Sequence, residues 1–134
     1  MSAKRWMLDT NTVSHLVKGH PGVLDQLAQK APSDVVISVI TEGELRFGLA
    51  KRPEATRLKT IIGELFHRVT VLPWESSTAQ TYGDLRARLE KGGKVVGSLD
   101  LLIAAHALDV GAILVSNDAG FNKIGDLPLE DWIS

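Results

Sequence analysis

Short apolar runs alternate along the chain with longer stretches that have helical periodicity. Each run is rich in β-branched or large apolar residues and is bounded by polar or turn-forming residues, which is typical of buried strands. The runs predict strands at 5–8, 35–38, 69–72 and 112–116, followed by an edge strand at 128–132.

The stretches between these runs predict helices. The clearest helix is opened by Pro53, and its apolar residues recur at i, i+3, i+4, i+7 and i+8. Ser77 and Gln80 have the spacing of a capping box, and Ser98 is a candidate cap for the following helix. Glycines at 92–93 and at 111 predict where those two helices end. The predicted helices span 12–18, 21–31, 42–49, a stretch from 53 through Phe66, 77–91 and 98–109.

The order of these elements predicts the fold class. Strands that alternate with helices form βαβ units, whose right-handed crossovers give a parallel sheet covered by helices on both faces. A chain of 134 residues without repeats or a linker-like segment is typical of one domain. We therefore expect a single three-layer α/β domain, 1–134, with a central parallel β-sheet flanked by helices.

Composition excludes several classes of function. The chain has no cysteine, which excludes a disulfide scaffold and any cysteine-based zinc, redox or nucleophilic site. Its net charge is −1, so a nucleic acid could be bound only through a local basic patch. No apolar run approaches the ~20 residues of a membrane helix, and the segment 1–5 is not followed by the apolar core of a secretory signal. We expect a cytoplasmic location.

Four acidic residues occupy positions where a binding site is expected. In an open parallel sheet, ligands bind at the carboxyl ends of the strands, and Asp9 and Asp118 follow the first and fourth predicted strands there. Glu44 and Asp100 interrupt stretches that are otherwise apolar or made of small residues. Asp100 shares a helix face with the apolar residues Ile103 and Ala104, where an unpaired carboxylate is costly.

A bound cation would explain this set of carboxylates. No lysine or arginine lies within a helical turn of Asp100 or of Asp9 in the sequence. Carboxylate oxygens with retained water suit Mg²⁺ or Mn²⁺, which can activate water and stabilise an in-line phosphoryl displacement.

Each acid also has an ordinary structural interpretation. Asp9 could be a turn residue at a strand end, and Asp118 could form an Asx turn. Glu44 lies at capping-box spacing from Thr41, and Asp100 would favour the positive end of its own helix. Four such coincidences in one order of strands and helices favour a common acidic site.

Taken together, these motifs resemble the PIN-domain ribonucleases, in particular the VapC toxins of bacterial VapBC toxin–antitoxin pairs. The resemblance covers nearly the whole chain in the expected order. The segments that carry it are Met-Leu-Asp-Thr-Asn (7–11), Ile-Thr-Glu-Gly-Glu-Leu-Arg-Phe-Gly (40–48), Leu-Asp-Leu-Leu-Ile-Ala-Ala-His-Ala-Leu (99–108), Leu-Val-Ser-Asn-Asp-Ala-Gly-Phe (114–121) and Gly-Asp-Leu-Pro-Leu-Glu-Asp-Trp (125–132).

The resemblance implies a metal-dependent endoribonuclease that cuts tRNA or rRNA. Its catalytic residues would be the four acids Asp9, Glu44, Asp100 and Asp118, of which all but Glu44 would be ligands of Mg²⁺ or Mn²⁺. Asn11 and Ser116 match supporting positions near the metal. A VapB-type antitoxin would be the protein partner, with its segment bound along a groove beside the acidic site, and homodimerisation is common among relatives.

Other residues and alternatives complete the predictions. Two basic groups along the chain, which include Arg52 in one and Arg86 and Lys94 in the other, are candidates for contacting RNA phosphates. Residues 9–13 also resemble the first motif of haloacid-dehalogenase-type phosphatases, but Asn11 stands where their general acid is required. The remaining alternative is a non-catalytic PIN-like RNA-binding or interaction module.

Overall fold

The computed structural model describes residues 4–134 and contains a five-stranded, entirely parallel sheet. Residues 1–3, the start of the segment in which no secretory signal is expected, lie outside the described residues. The strand order is β3-β2-β1-β4-β5, so β5 is an edge strand as predicted. The strands are β1 (Trp6–Leu8), β2 (Val35–Ser38), β3 (Thr70–Leu72), β4 (Ile113–Val115) and β5 (Leu129–Glu130).

Helices cover both faces of the sheet and confirm the three-layer α/β prediction. Successive residues of β1 enter different cores, since Met7 packs on one face and Leu8 on the other. The first core includes apolar residues of α5 and α6, and the second includes residues of α1 to α4. The helices are α1 (Thr10–Val17), α2 (Pro21–Ala28), α3 (Val39–Ala50), α4 (Thr56–Arg68), α5 (Ser76–Lys91) and α6 (Ser98–Val110), with 3₁₀ turns at Pro32–Asp34 and Ala119–Lys123.

The strand order fixes where a ligand can bind. β2 pairs with one side of the central strand β1, and β4, which comes later in the chain, pairs with the other side. The order of the strands therefore reverses between β1 and β4, and their carboxyl ends border a crevice. Asp9 and Asp118 follow these two strands.

Three helix starts differ from the sequence predictions because other caps form. α1 begins at Thr10 rather than at residue 12, since Asp9 is its N-cap. α3 begins at Val39, and its cap is Ser38, whose Oγ accepts a hydrogen bond from the Ile40 N–H at 3.0 Å. Thr41 therefore lies inside α3, and the Thr41–Glu44 capping box does not form. α5 is capped two residues earlier than predicted: the N–H of Glu75 donates to Thr78 Oγ1 at 3.3 Å, and this Glu75–Thr78 pair replaces the predicted Ser77–Gln80 pair.

Two further predicted helix starts are wrong, and both predicted glycine stops are confirmed. Pro53 lies in the turn before α4 rather than in its first turn, and Gly97 rather than Ser98 is the N-cap of α6. Both predicted glycine stops are correct, since Gly92 caps α5 and Gly111 takes the left-handed conformation (φ 68°) after α6. No helix within residues 4–134 has the length and apolar character needed to cross a membrane.

Candidate active site

Asp9 is fixed in place by the end of the sheet and the start of α1. Its backbone N–H donates to the Val115 carbonyl of β4 at 3.1 Å, and its Oδ1 accepts from the Thr12 N–H at 2.8 Å. The Thr12 hydroxyl donates to the same Val115 carbonyl at 3.0 Å. Asp9 is thus the N-cap of α1 rather than the simple turn residue of its ordinary structural interpretation, and capping uses Oδ1 and leaves Oδ2 available for a ligand.

Glu44 extends from α3 to the first residue of α1. Its Oε1 accepts a hydrogen bond from the Thr10 hydroxyl at 2.6 Å, a short distance that is typical of a hydroxyl bound to an ionised carboxylate. Thr10 follows Asp9 directly, so this bond brings two of the four acids to the same place in the fold. Glu44 therefore belongs to the site and has no capping role in α3.

Asp100 is the third residue of α6 and is half-buried. Its pKa is raised from the ordinary value to about 6, mainly by burial. The charges of Asp118, Asp9 and Glu44 and a hydrogen bond with Asp118 act in the same direction. The helix N-terminus favours the ionised form, but burial and the three neighbouring carboxylates outweigh it.

Asp118 lies in the loop after β4, and its conformation is fixed locally. Its Oδ1 accepts from the Gly120 N–H at 2.8 Å, so the Asx turn expected as an alternative does form. Its backbone N–H donates to the Ser116 hydroxyl at 3.0 Å. Ser116 therefore supports the loop from a buried position, whereas the Asp118 carboxyl interacts with Asp100.

A hydrogen bond between two side-chain amides links the segment that contains Asp9 to the segment that contains Asp118. Asn11 Nδ2 donates to Asn117 Oδ1 at 2.8 Å, which joins α1 to the loop that carries Asp118. Asn117, Thr10, Ser14 and Ile103 also line the site, although they were not singled out from the sequence. The only available signal was their position, since Thr10 and Asn117 lie next to predicted acids.

The structure brings the four acids into one cleft of about 430 Å³. No lysine or arginine lines this cleft, and the ion pairs within residues 4–134 all lie elsewhere: Arg46–Glu42, Arg86–Glu90 and Arg88–Asp126. The negative charge of the cleft is therefore not balanced by the protein. The residues lining it are Asp9, Thr10, Asn11, Ser14, Glu44, Asp100, Ile103, Asn117 and Asp118.

The donor set of the cleft suits a hard cation that keeps part of its water. In the described part of the chain, no three histidine or acidic side chains are close enough to enclose a metal ion. That arrangement does not fit a zinc cage, which needs a closed set of ligands. It fits Mg²⁺, which is bound through one or two carboxylates and retains several waters.

The predicted basic residues lie outside the cleft. Arg52 lines an adjoining groove, which shares Thr10, Ser14 and Glu44 with the cleft. Arg86 is bound to Glu90 at 2.8 Å and to the Tyr82 hydroxyl at 3.0 Å, so part of its charge is already balanced. Lys94 donates to the Lys123 carbonyl at 3.3 Å.

His106 is fully buried in the core and does not line the cleft. Its Nδ1 is 2.6 Å from Ser38 Oγ, and its ring packs edge-on against Trp74. Burial lowers the pKa of His106, while the charge of Asp109 and the backbone of Pro73 act in the opposite direction. A neutral, buried imidazole between β2 and α6 is a structural group rather than a general base.

Comparison with known proteins identifies the family to which this fold belongs. A family model described as the PIN domain matches residues 6–127. Ribonuclease VapC2 of Haemophilus influenzae is 36% identical over 131 residues, which cover 96% of this chain and 98% of that protein. The tRNA(fMet)-specific endonuclease VapC of Shigella flexneri is 33% identical over 129 residues, which cover 96% and 98% of the two chains.

Solved structures give the same result. A chain of the DNA-bound VapBC of Salmonella typhimurium superimposes with a TM-score of 0.90 at 31% identity, covering 97% of this chain and 99% of the other. A chain of the promoter-bound VapBC2 of Rickettsia felis gives a TM-score of 0.88 at 32% identity, with coverages of 95% and 98%. The fold is that of a PIN domain. Within that class, the chain belongs to the VapC ribonuclease family.

Proposed function

We propose that this protein is a metal-dependent endoribonuclease that hydrolyses RNA phosphodiester bonds as the toxin of a VapBC-type toxin–antitoxin pair. The observation that carries the proposal is the convergence of four carboxylates in a cleft without a protein cation. Its relatives are ribonucleases by name, and the Shigella flexneri relative is specific for tRNA(fMet). tRNA is therefore the first substrate to test.

In this proposal Asp9 and Asp100 would bind Mg²⁺, or Mn²⁺ in its place, directly, and Asp118, the third expected ligand, would hold the cation through one of its retained waters. When bound, the cation lowers the pKa of water and stabilises negative charge on the attacked phosphate. Asp9 is positioned by its backbone bond to β4 and by its cap bond to α1. Glu44 is held by Thr10 and is available to accept a hydrogen bond from the attacking water.

Electrostatic repulsion among the four acids favours cation binding. Burial, followed by the charges of the neighbouring acids, raises the pKa of Asp100 to about 6, yet at pH 7 this carboxyl is still mostly ionised. A divalent cation would relieve the repulsion among the four acids and allow the phosphate of RNA to enter. The protein residues supply the ligand positions, and the cation supplies the charge that the protein lacks.

A VapB-type antitoxin is the protein partner in this proposal, since the matching solved structures are VapBC complexes. The groove beside the cleft has a volume of about 340 Å³ and suits a segment of such a partner. Its walls are apolar residues of α1, α3 and α4, which can receive the apolar face of a helix or an extended peptide. The apolar lining residues are Val17, Leu45, Leu49, Leu58 and Ile62, and the basic ones are Lys18, Lys51 and Arg52.

The test is cleavage of total cellular RNA and of purified tRNA by antitoxin-free protein, with Mg²⁺ or with EDTA. Asp9→Asn is the informative variant because asparagine keeps an oxygen that can cap α1 but removes the charge. Asp25→Asn, an exposed acid of α2, is the matched control.

Discrete cuts that vanish with EDTA and in Asp9→Asn, but persist in Asp25→Asn, are the expected result. Cuts that persist with EDTA would contradict metal dependence. RNA binding without any cleavage, by wild-type protein shown to be folded, would favour the non-catalytic RNA-binding alternative.

A further inference from the structure

Two lysines join the loop before α6 to the 3₁₀ turn after Asp118. Lys94 Nζ donates to the Lys123 carbonyl at 3.3 Å, and Lys123 Nζ donates to the Val95 carbonyl at 2.7 Å. The two bonds run in opposite directions between the same pair of segments. Each lysine is therefore partly ordered while it remains on the protein surface.

The charges of these lysines are not balanced by the protein. Both ammonium groups bind backbone carbonyls, and neither has an acidic partner within 4.0 Å in residues 4–134. They line a recess of about 390 Å³ together with Arg88, which is paired with Asp126 at 2.9 Å. Lys94 and Lys123 thus supply the net positive charge of this recess.

The recess is linked by short stretches of chain to two of the four acids. Lys94 precedes Asp100 by six residues, and Lys123 follows Asp118 by five. Between Lys94 and Asp100 the chain also exposes two apolar side chains, since Val95 is 76% exposed and Leu99 is 47% exposed. Lys94, Val95, Leu99 and Lys123 form what we call the Lys94–Lys123 surface.

We propose that the Lys94–Lys123 surface binds the RNA strand beside the scissile phosphate. This inference rests on the proposed ribonuclease function, because it assigns the substrate a path next to the acidic cleft. The lysines bind backbone phosphates, and Val95 and Leu99 contact an unpaired base, the form in which proteins read RNA loops. Because the cleft itself repels phosphate, substrate affinity must come from cations beside it.

The chemistry of this surface favours RNA over a protein segment. A peptide of the antitoxin would meet apolar walls in the groove on the α1–α3–α4 side. The recess near Lys94 has only two apolar lining residues, Leu89 and Ile124, and both are buried; the rest of its lining is two lysines, two glycines and the Arg88–Asp126 ion pair. Partly ordered lysines also lose less side-chain entropy when they bind a phosphate than free lysines would.

The proposal is tested by the affinity of catalytically inactive protein for 3′-fluorescein-labelled tRNA in EDTA, measured by fluorescence anisotropy over a range of salt concentrations. The Asp9→Asn protein is compared with versions that also carry Lys94→Ala, Lys123→Ala or Lys94→Arg. Lys4→Ala is the control, since Lys4 is an exposed residue that precedes β1 and so lies at the amino end of that strand, whereas the cleft lies at the carboxyl ends.

Each alanine variant is expected to weaken binding about 3- to 10-fold and to reduce the slope of log Kd against log salt by about 0.7, the value for one lost phosphate contact on a single strand. Lys94→Arg keeps the charge and should bind nearly as tightly as the parent. Lys4→Ala should change neither quantity.

Three results would overturn the proposal. The first is unchanged RNA affinity and salt dependence in both alanine variants. The second is a lower kcat in otherwise wild-type protein without any change in binding, which would make the lysines structural. The third is weaker antitoxin binding with RNA binding intact, which would assign the surface to the antitoxin. The assay needs no cleavage. Weaker binding by the lysine variants would therefore support an RNA-binding surface even if wild-type protein proves inactive as a ribonuclease.

Discussion

The hydroxyl of Thr10 donates a 2.6 Å hydrogen bond to the Glu44 carboxylate and thereby connects the first residue of α1 to the middle of α3. The two residues are 34 positions apart in the chain, and both line the acidic cleft. This bond sets the position of Glu44 relative to Asp9, the residue before Thr10.

Removing this bond should reduce catalysis with little effect on folding. Thr10→Val keeps the shape of the side chain but leaves Glu44 without its donor, and we expect kcat to fall about 10-fold through misplacement of a catalytic group. Thr10→Ser restores a hydroxyl and should recover most of the activity. The matched control is Thr60→Val on the exposed side of α4. Equal activity of Thr10→Val and wild-type protein would show that the bond does not position Glu44 for the reaction.

Asp100→Asn should stabilise the metal-free protein at neutral pH. The pKa of Asp100 is about 6 in the folded protein, above its ordinary value of 3.8, so the folded state holds this proton more tightly than the unfolded state. Stability from this group is therefore present below pH 4 and is lost as the pH rises through 6. After allowance for solvent screening of a half-exposed group, we expect the free energy of unfolding of Asp100→Asn at pH 7 to be about 1 kcal/mol higher than that of wild-type protein.

Urea unfolding in EDTA measures this difference, which should shrink towards zero at pH 4. A variant that is less stable than wild-type protein at pH 7 would contradict the electrostatic account of the cleft.

Added Mg²⁺ should make wild-type protein more stable than Asp100→Asn, the reverse of the order expected without metal. A ligand that binds only the folded state stabilises it by about 1.4 kcal/mol at ten times its dissociation constant. We expect Mg²⁺ to raise the Tm of wild-type protein and of Asp25→Asn, but not of Asp100→Asn or Asp9→Asn. Differential scanning fluorimetry with Mg²⁺ or with EDTA provides the measurement. An equal rise in all four proteins would locate the cation outside the cleft.

Asp109 should be important for stability but not for chemistry. Its carboxylate, at the end of α6, accepts hydrogen bonds from three hydroxyls of α5, those of Ser77 (3.0 Å), Thr78 (2.9 Å) and Thr81 (3.2 Å). Asp109→Ala leaves the fully buried Thr78 hydroxyl without this acceptor, which we expect to cost about 1–3 kcal/mol in the free energy of unfolding.

The control for Asp109 is Asp84→Ala on the exposed face of α5, where only a bond from Gln80 is lost. We expect its effect to stay within about 0.5 kcal/mol. Chemical denaturation of both variants measures the difference, and similar losses would show that the three hydroxyls contribute nothing beyond surface contacts.

Local features of the chain were sufficient to predict the strands, the layered fold and the four acids. Strand runs were recognisable because buried parallel strands are continuously apolar, as 35–37 shows. The helix stops at 92–93 and 111 follow from backbone geometry, because Gly93 and Gly111 take the left-handed conformation (φ 70° and 68°). Helix starts were less predictable. Several neighbouring polar residues could have been the N-cap of each helix. In the folded protein the caps are Ser38 and Glu75 rather than Thr41 and Ser77.

The sequence by itself determined which acids follow the strands, because chain order and strand direction place Asp9 and Asp118 at one edge of the sheet. Only the tertiary structure decided how those acids are held. The Thr10–Glu44 bond spans 34 residues and the bond between Asn11 and Asn117 spans 106, and neither follows a local period. Hydrogen bonds of a few ångströms between distant segments exist only after the sheet has brought those segments together.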